Sequence, residues 1–370
     1  MDFLGVDIVC PACRAELSRR GGAEQGSLHC MGCGRAYPVL AGIPDLRLWP
    51  DPYIGMAEDR AKGETLAREC AGRSFLEAVR FYYSVTHAVP PFQARRFERG
   101  LAAAAERSRE SLARWESLAP AAAGTLSLLD IGCGTAPLLV HAAGRYRCVA
   151  GVDVAFRWLV LARCRLVEAG LHVPLVCACA EALPFGDRLF DRVVADSTLE
   201  HLRDGPLALR EVRRVLRPAG AFFVATPNRF SLGPDPHTGL PAGGWLPDRA
   251  VAAYVRRKGG VPPRRTLYSG RSLRRLFREA GLAPVGIYPP SIPAAIRERL
   301  PGAGRALVTA YNGLLRVPGA RTALRWLGPL LHAVAVPSDP ERGRLPNESR
   351  ARRPARVPSP AGVDAAAPRD

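Results

Sequence analysis

Lysine is nearly absent from this chain of 370 residues; Lys62 and Lys258 are the only two. The 52 basic residues still outnumber the 34 acidic ones, for a formal charge of +18, so arginine carries the excess. A basic surface attracts phosphates, nucleic acids and anionic lipid headgroups, and composition alone does not choose among them. Long apolar runs are also missing. None approaches the ~20 residues needed to span a bilayer. A secretory leader is not expected either, because Met1 to Val9 is short, carries Asp2 and Asp7, and runs straight into a cysteine pair. Internal repeats are absent. These gaps leave an expected cytoplasmic globular protein, with contact to a membrane surface still open.

The ten cysteines are unevenly spread. Cys10-Pro-Ala-Cys13 and Cys30-Met-Gly-Cys33 form two C-x-x-C pairs separated by 16 residues. Each such turn lets two thiolates grip one ion, and two turns complete a closed tetrahedral site. The spacing predicts a structural Zn2+ held by Cys10, Cys13, Cys30 and Cys33, with no open position for chemistry. The scattered remainder reads as buried thiols in a reduced protein.

Four regions follow from composition and periodicity. Residues 1–48 are the cysteine-rich ribbon. Residues 50–122 read as helices over Met56–Thr86 and Phe92–Leu118, parted by Pro90-Pro91. Residues 123–336 alternate short apolar strands with helices, which predicts an α/β, doubly wound, Rossmann-like sheet of about seven strands with helices on both faces. The strands fall at Leu126–Asp130, Cys148–Asp153, Leu175–Ala178, Arg192–Ala195, Ala221–Thr226, Pro284–Tyr288 and Leu331–Val336. The helices fall at Leu138–Tyr146, Arg157–Ala169, Gly205–Leu216 and Arg271–Ala280. An insertion over about 290–330 is rich in Leu, Ala and Arg. Its default placement is against the core, with a membrane surface or an apolar acceptor as the other option. Residues 337–370, rich in Pro, Ala and Arg, read as a disordered tail.

The strongest chemical motif is Leu128-Leu-Asp-Ile-Gly-Cys-Gly-Thr135. A strand ends in Asp130 and turns through Gly132, Cys133 and Gly134 into a helix, whose first amides face a ligand. Asp153 ends the next strand, 23 positions on, where a carboxylate accepts ribose hydroxyls. Together they point to a nucleoside-containing cofactor. Pro137 stands where a dinucleotide fingerprint wants its third glycine, which argues against NAD.

The run from Tyr37 to Leu46 resembles the zinc ribbon of tRNA methyltransferase activator subunits, which implies a folding or docking role. Asp130-Ile-Gly-Cys-Gly-Thr135 resembles the first motif of class I S-adenosylmethionine-dependent methyltransferases. Ala180-Glu-Ala-Leu-Pro-Phe185, Phe190-Asp191, Leu199-Glu-His201 and Glu211 to Gly220 resemble later blocks of their UbiE-like branch. The resemblance implies S-adenosylmethionine as cofactor and a last strand running antiparallel. It implies that Asp130, Gly132 and Gly134 line the methionine part, that Asp153 binds ribose, and that Ala180 and Glu181 lie near adenine. Asp196 and Ser197 would then sit below the cofactor. Two positions depart from the family. Ala136 replaces a glycine, which is tolerable at negative φ. Cys179 replaces an Asp that would hydrogen-bond the adenine amino group, so adenine contact there is weaker.

The segment after the fourth strand lacks the Asn/Asp-Pro-Pro-aromatic motif of amino-methylation on bases. His201 and His237 are the candidate general bases for an acceptor hydroxyl. The alternative for Glu200-His201 is to cap the following helix. The loop Pro227–Pro241 offers Asn228, Arg229 and His237 as acceptor contacts, with a merely structural loop as the other reading. Arg249–Arg278 holds ten basic residues and no acidic one, a candidate anion site or a solvated face. The leading expectation is O- or C-methylation of a small-molecule, lipid-linked or glycan acceptor, with peripheral membrane contact. RNA methylation is the runner-up, and a non-catalytic cofactor-binding scaffold is the third.

Overall fold

A computed structural model describes Met1–Ser338 apart from residues 87, 88, 121, 293 and 299. The tail expected to be disordered therefore lies almost wholly outside the described residues. Met1–Pro337 forms one compact unit. Among the described residues no helix is long and apolar enough to cross a membrane.

The N-terminal module pairs β1 (Asp2–Phe3) with β2 (Val6–Asp7). A four-stranded antiparallel sheet follows, β3 (Leu17–Gly21), β4 (Gln25–Cys30), β5 (Ala36–Leu40) and β6 (Ile43–Pro44). Four helices come next: α1 (Met56–Glu69), α2 (Phe75–Ser84), α3 (Pro91–Ala102) and α4 (Ala104–Leu118). The periodic stretch 56–86 divides because Gly72 takes a φ of +75° and Ser74 opens α2 with a capping box to Glu77.

The larger sheet comprises β7 (Ser127–Ile131), β8 (Cys148–Asp153), β9 (Leu175–Cys177), β10 (Phe190–Asp196), β11 (Leu216–Pro227), β12 (Leu282–Tyr288) and β13 (Leu330–Pro337). Its order is β12-β13-β11-β10-β7-β8-β9. The five strands from β7 to β11 are mutually parallel, and β13 runs antiparallel to both neighbours. Every residue of β7 is buried, as a parallel strand covered on both faces must be. The crossovers are α5 (Leu139–Ala142), α6 (Phe156–Glu168) and α7 (Gly205–Val215). α5 is shorter than its sequence suggests, ending before Gly144, a residue poor at holding a helix. After β11 come α8 (Asp248–Arg257) and α9 (Gly270–Glu279). The insertion supplies α10 (Ala294–Arg297), α11 (Gly302–Leu314) and α12 (Pro318–Leu327).

That insertion corrects the core-burial reading. α12 buries none of its residues and α11 only Val308. Polar ties hold α11 instead: Asn312 exchanges hydrogen bonds with both backbone groups of Ile292, and Tyr311 donates to the Pro290 carbonyl.

The ribbon is built into the sheet's edge. Asp45 bridges Cys177 in parallel, and the Leu46 amide donates to the Cys177 carbonyl at 2.7 Å. On its other side Val9 donates to the Pro184 carbonyl at 3.0 Å. A buried ionic chain continues the join. Arg47 pairs with Asp45 at 2.7 Å and with Asp59 of α1 at 2.6 Å. Arg157 of α6 pairs with Asp59 at 2.7 Å and Asp51 at 3.1 Å. Asp59 also accepts the Phe156 amide at 2.8 Å, so α1 caps the start of α6, which has no capping side chain of its own.

Candidate active site

The order of the strands reverses between β7 and β10, and ligand crevices open at the carboxyl ends of parallel strands beside such a reversal. A cleft of about 360 Å³ lies there, within the ~300–1,000 Å³ common for ligand sites.

Its floor is the glycine loop after β7. Gly132, at a φ of +69°, donates to the Val152 carbonyl. A methyl group on Gly132 would lie within 2.2 Å of the Thr198 side chain, so a larger residue has no room. Ala136 corrects the expectation of a negative φ. It sits at +57°, fully buried, where an L-residue costs ~1–2 kcal/mol. The Asp153 carboxylate braces this loop, taking the Gly134 amide on one oxygen and the Ala155 amide on the other, each at 2.8 Å.

Three acids converge on this floor. Burial pushes Asp153 up to about 6, against the Ala155 and Gly134 amides that favour its charge. Burial likewise raises Asp196 to about 6, with Glu200 adding to the effect. Asp130 is driven well above the carboxylate range by burial and by the charges of Asp196 and Asp153. Buried acids raised in this way suit a ligand with cationic groups, as a sulfonium and an ammonium are, because a nearby positive charge favours their ionised forms. The donor set therefore fits S-adenosylmethionine: glycine-loop amides and acids for the methionyl end, and Asp153 for ribose.

Of the expected cofactor residues, Gly132, Gly134, Asp153, Cys179, Ala180, Glu181 and Ser197 line the cleft. Asp130 and Cys133 are buried in its floor. Asp196 ends β10 and accepts the Ser197 hydroxyl at 3.1 Å. Glu181 turns one oxygen to the amides of Arg203 and Asp204, at 2.8 and 3.2 Å, and so braces the start of α7. Cys179 donates its thiol to the Trp49 carbonyl at 3.4 Å.

That bond identifies residues the motifs did not reveal. The segment Trp49–Tyr53, just after the ribbon, forms the cleft's other wall with Arg157 and Trp158. Trp49 lies beside Cys179 and Ala180 with the Arg203 guanidinium over its ring. A Trp next to a Pro-Asp-Pro turn was the only available signal, and nothing in one sequence ties it to a strand over a hundred residues away.

His201 also lines the cleft, and its ring meets that of His237 with centroids 4.7 Å apart, edge to face. The two histidines named from sequence are thus brought together. The capping alternative for Glu200-His201 is not what forms, since Asp204 caps α7 by accepting the Leu207 amide. Asn228 is a correction among the acceptor contacts. It is buried, and its amide donates to the Trp326 and Gly328 carbonyls, so it holds the loop. Arg265 is paired with Asp235, and Arg264 joins Tyr53 at the rim, so part of the basic segment is structural.

In the ribbon, the Cys10 and Cys33 sulfurs lie 3.7 Å apart and those of Cys13 and Cys30 3.3 Å. Four thiolates on a tetrahedral ion bonded at ~2.3 Å stand roughly 3.8 Å apart, so the set fits one zinc.

A seven-stranded sheet in this order, with a glycine loop at the reversal and an acid on the neighbouring strand, is a Rossmann-like fold with the geometry of a nucleoside-cofactor site. Residues 129–224 match the methyltransferase domain family, and residues 8–41 match the Trm112p-like proteins. A ubiquinone biosynthesis O-methyltransferase of Chelativorans sp. is 34% identical over 104 residues, 28% of this chain and 41% of that one. The ubiquinone/menaquinone C-methyltransferase UbiE of Bordetella avium is 38% identical over 102 residues, 27% of this chain and 40% of that one. The chain thus spans about two fifths of the length of these curated relatives. An uncharacterized 37.1 kDa protein in transposon TN4556 of Streptomyces fradiae is 30% identical over 278 residues, 72% of this chain and 74% of that one. Among solved structures, the complex between the Haloferax volcanii Trm112 methyltransferase activator and a methyltransferase has a TM-score of 0.39 at 20% identity, covering 64% of this chain and 97% of that one. Residues 129–224 thus form a methyltransferase domain preceded by a Trm112p-like ribbon, and the chain shares a family with the Streptomyces protein.

Proposed function

We propose that this protein transfers a methyl group from S-adenosylmethionine to an oxygen of a small-molecule, lipid-linked or glycan acceptor. The observation that carries this reading is the cleft itself: the glycine loop, the acidic floor and Asp153 on one side, Trp49–Tyr53 on the other. The cofactor supplies an electrophilic methyl group. Asp153 and the loop amides hold and align it. Trp49 offers a flat apolar face at the adenine end, in place of the hydrogen bond that Cys179 does not make.

The acceptor is assigned to the cleft's outer end, where His201 and His237 meet. Both are proposed as the groups that receive the acceptor oxygen and ease loss of its proton. Zinc on Cys10, Cys13, Cys30 and Cys33 is structural in this reading and secures the ribbon against the sheet.

A lipid-linked acceptor has a specific observation in its favour. Leu232, Trp245 and Trp326 are exposed, and α12 adds Arg321 and Arg325 with no acidic residue. Leu232 and Asn228 tie this patch to the His237 loop through the carbonyls of Leu327 and Trp326. Aromatic and arginine side chains of this kind suit a membrane interface beside the acceptor entrance.

The test is transfer of a labelled methyl group by the zinc-loaded protein into separated lipid, glycan, small-molecule and RNA fractions. Label in any of the first three, abolished by Asp153→Ala, supports the reading. Label confined to RNA overturns it in favour of an RNA methyltransferase.

A further inference from the structure

Among the described residues two groups bring three or more metal-binding side chains together. One is the ribbon cluster. The other is Glu200, His201 and His237, whose donor atoms lie within 4.8 Å of one another.

Glu200 is fully buried. One carboxylate oxygen accepts the Thr226 hydroxyl at 2.9 Å. The other, Oε1, has no hydrogen-bond partner. Its neighbour is His237 Nε2 at 3.5 Å, beyond the 2.7–3.2 Å of a hydrogen bond. A buried carboxylate oxygen with no partner is costly, and charges so placed are found paired or bound to metal.

Both imidazoles are held by surrounding groups. The Nδ1 of His201 donates to the Arg264 carbonyl at 3.3 Å, which leaves Nε2 as a bare lone pair. This carbonyl-to-imidazole arrangement fixes tautomer and ring orientation around metal sites. The extended segment carrying that carbonyl also donates the Thr266 amide to the Glu200 carbonyl at 2.7 Å. His237 is positioned by Asp235, which accepts the amides of His237 and Thr238 while clamped by Arg265. The charge of Arg265 is thereby offset by Asp235, which leaves Glu200 as the acidic member of the cluster.

We propose that Glu200, His201 and His237 form a binding site for one divalent first-row transition ion, with its open positions facing the cleft. Two histidines and one carboxylate on one side of an ion leave room for exogenous oxygen ligands. With bonds of ~2.1 Å, adjacent ligand atoms stand about 3.0 Å apart and opposed ones about 4.2 Å. The donor atoms lie within 4.8 Å of one another, so they close by up to about 1.8 Å onto an ion that all three hold from one side. An acceptor hydroxyl bound there loses its proton near neutral pH, as metal-bound water does. The O–H bond breaks, its electron pair stays on the ion-bound oxygen, and the proton leaves to solvent. The ligand class is accordingly an acceptor with a hydroxyl beside a second oxygen, able to chelate. This inference rests on the reading of the outer cleft as the acceptor side and says how the two histidines act there.

The test is Mn2+ titration of the full, zinc-loaded chain, followed by the electron paramagnetic resonance of free Mn2+. Mn2+ is weakest in the affinity order and favours oxygen and nitrogen ligands, so the ribbon thiolates do not take it. The expected result is one Mn2+ per chain, weakened more than about tenfold by Glu200→Gln and by His237→Gln. His237→Gln guards against misfolding, because its side chain is 24% exposed. Affinity for S-adenosylmethionine should be unchanged in both variants, which separates this site from the cofactor reading. A folded protein that takes up no Mn2+ at about 1 mM, or one whose uptake survives His237→Gln, overturns the proposal.

Discussion

At the scale of single residues, the cleft is a set of groups held at some cost until a ligand arrives. Asp153 is the clearest. Burial raises its folded value to about 6, above the ordinary value of 3.8. For an acid shifted upward, the stabilising contribution is full below the ordinary value and is lost as pH rises through 6. Burial thus makes the carboxylate less favourable here than in water. Ribose hydroxyls reverse this, because they donate to the charged form. S-adenosylmethionine affinity should therefore hold steady above pH 6, fall as pH drops through about 6, and be accompanied by proton release there. Calorimetry in buffers of different ionisation enthalpy reads both effects. An affinity flat from pH 5 to 7.5 would remove Asp153 from the ribose contact.

At the scale of elements, the strand positions of the large sheet and most of its crossover helices were legible in the sequence, whereas the strand order was not. Apolar runs and the glycine turns mark where each strand of a buried parallel sheet ends, and β8 falls where periodicity puts it. The insertion was not legible, because amphipathic spacing gives a helix but not the surface that receives its apolar face. Asp59 was also out of reach. It reads as a first-turn acid of α1, whereas it serves Arg47, Arg157 and the start of α6 at once. Contacts between residues 97 apart carry no local pattern. Asp59→Ala would leave two buried guanidiniums short of a counter-charge and α6 uncapped, and should cost about 3–5 kcal/mol in denaturant unfolding. A loss under about 1 kcal/mol, the range of exposed pairs, would mean the network does not hold the cap.

At the scale of the whole molecule, the ribbon and the cleft form one continuous unit. The chain leaves the last ribbon strand, pairs with the edge of the large sheet, passes through the ionic chain of Asp45 and Arg47, and reaches the cleft wall at Trp49. The two C-x-x-C pairs make the ribbon plain in the sequence, but its place beside the cleft depends on backbone pairing of Leu46 with Cys177, which no motif records. Loss of zinc should consequently be felt at the cleft. Cys13→Ser combined with Cys33→Ser should abolish the bound zinc, measured by elemental analysis. It should also weaken S-adenosylmethionine binding, although neither residue lines the cleft. Unchanged cofactor affinity in a zinc-free variant would show the ribbon to be an independent module.

The central claim is that the glycine loop and Asp153 hold S-adenosylmethionine against the wall formed by Trp49–Tyr53. Isothermal titration of the zinc-loaded protein with S-adenosylmethionine, beside the Asp153→Ala variant, tests it most directly. One cofactor per chain, with affinity lost in the variant, is the predicted result. Absence of binding by the folded parent protein, or equal binding by both, would contradict it.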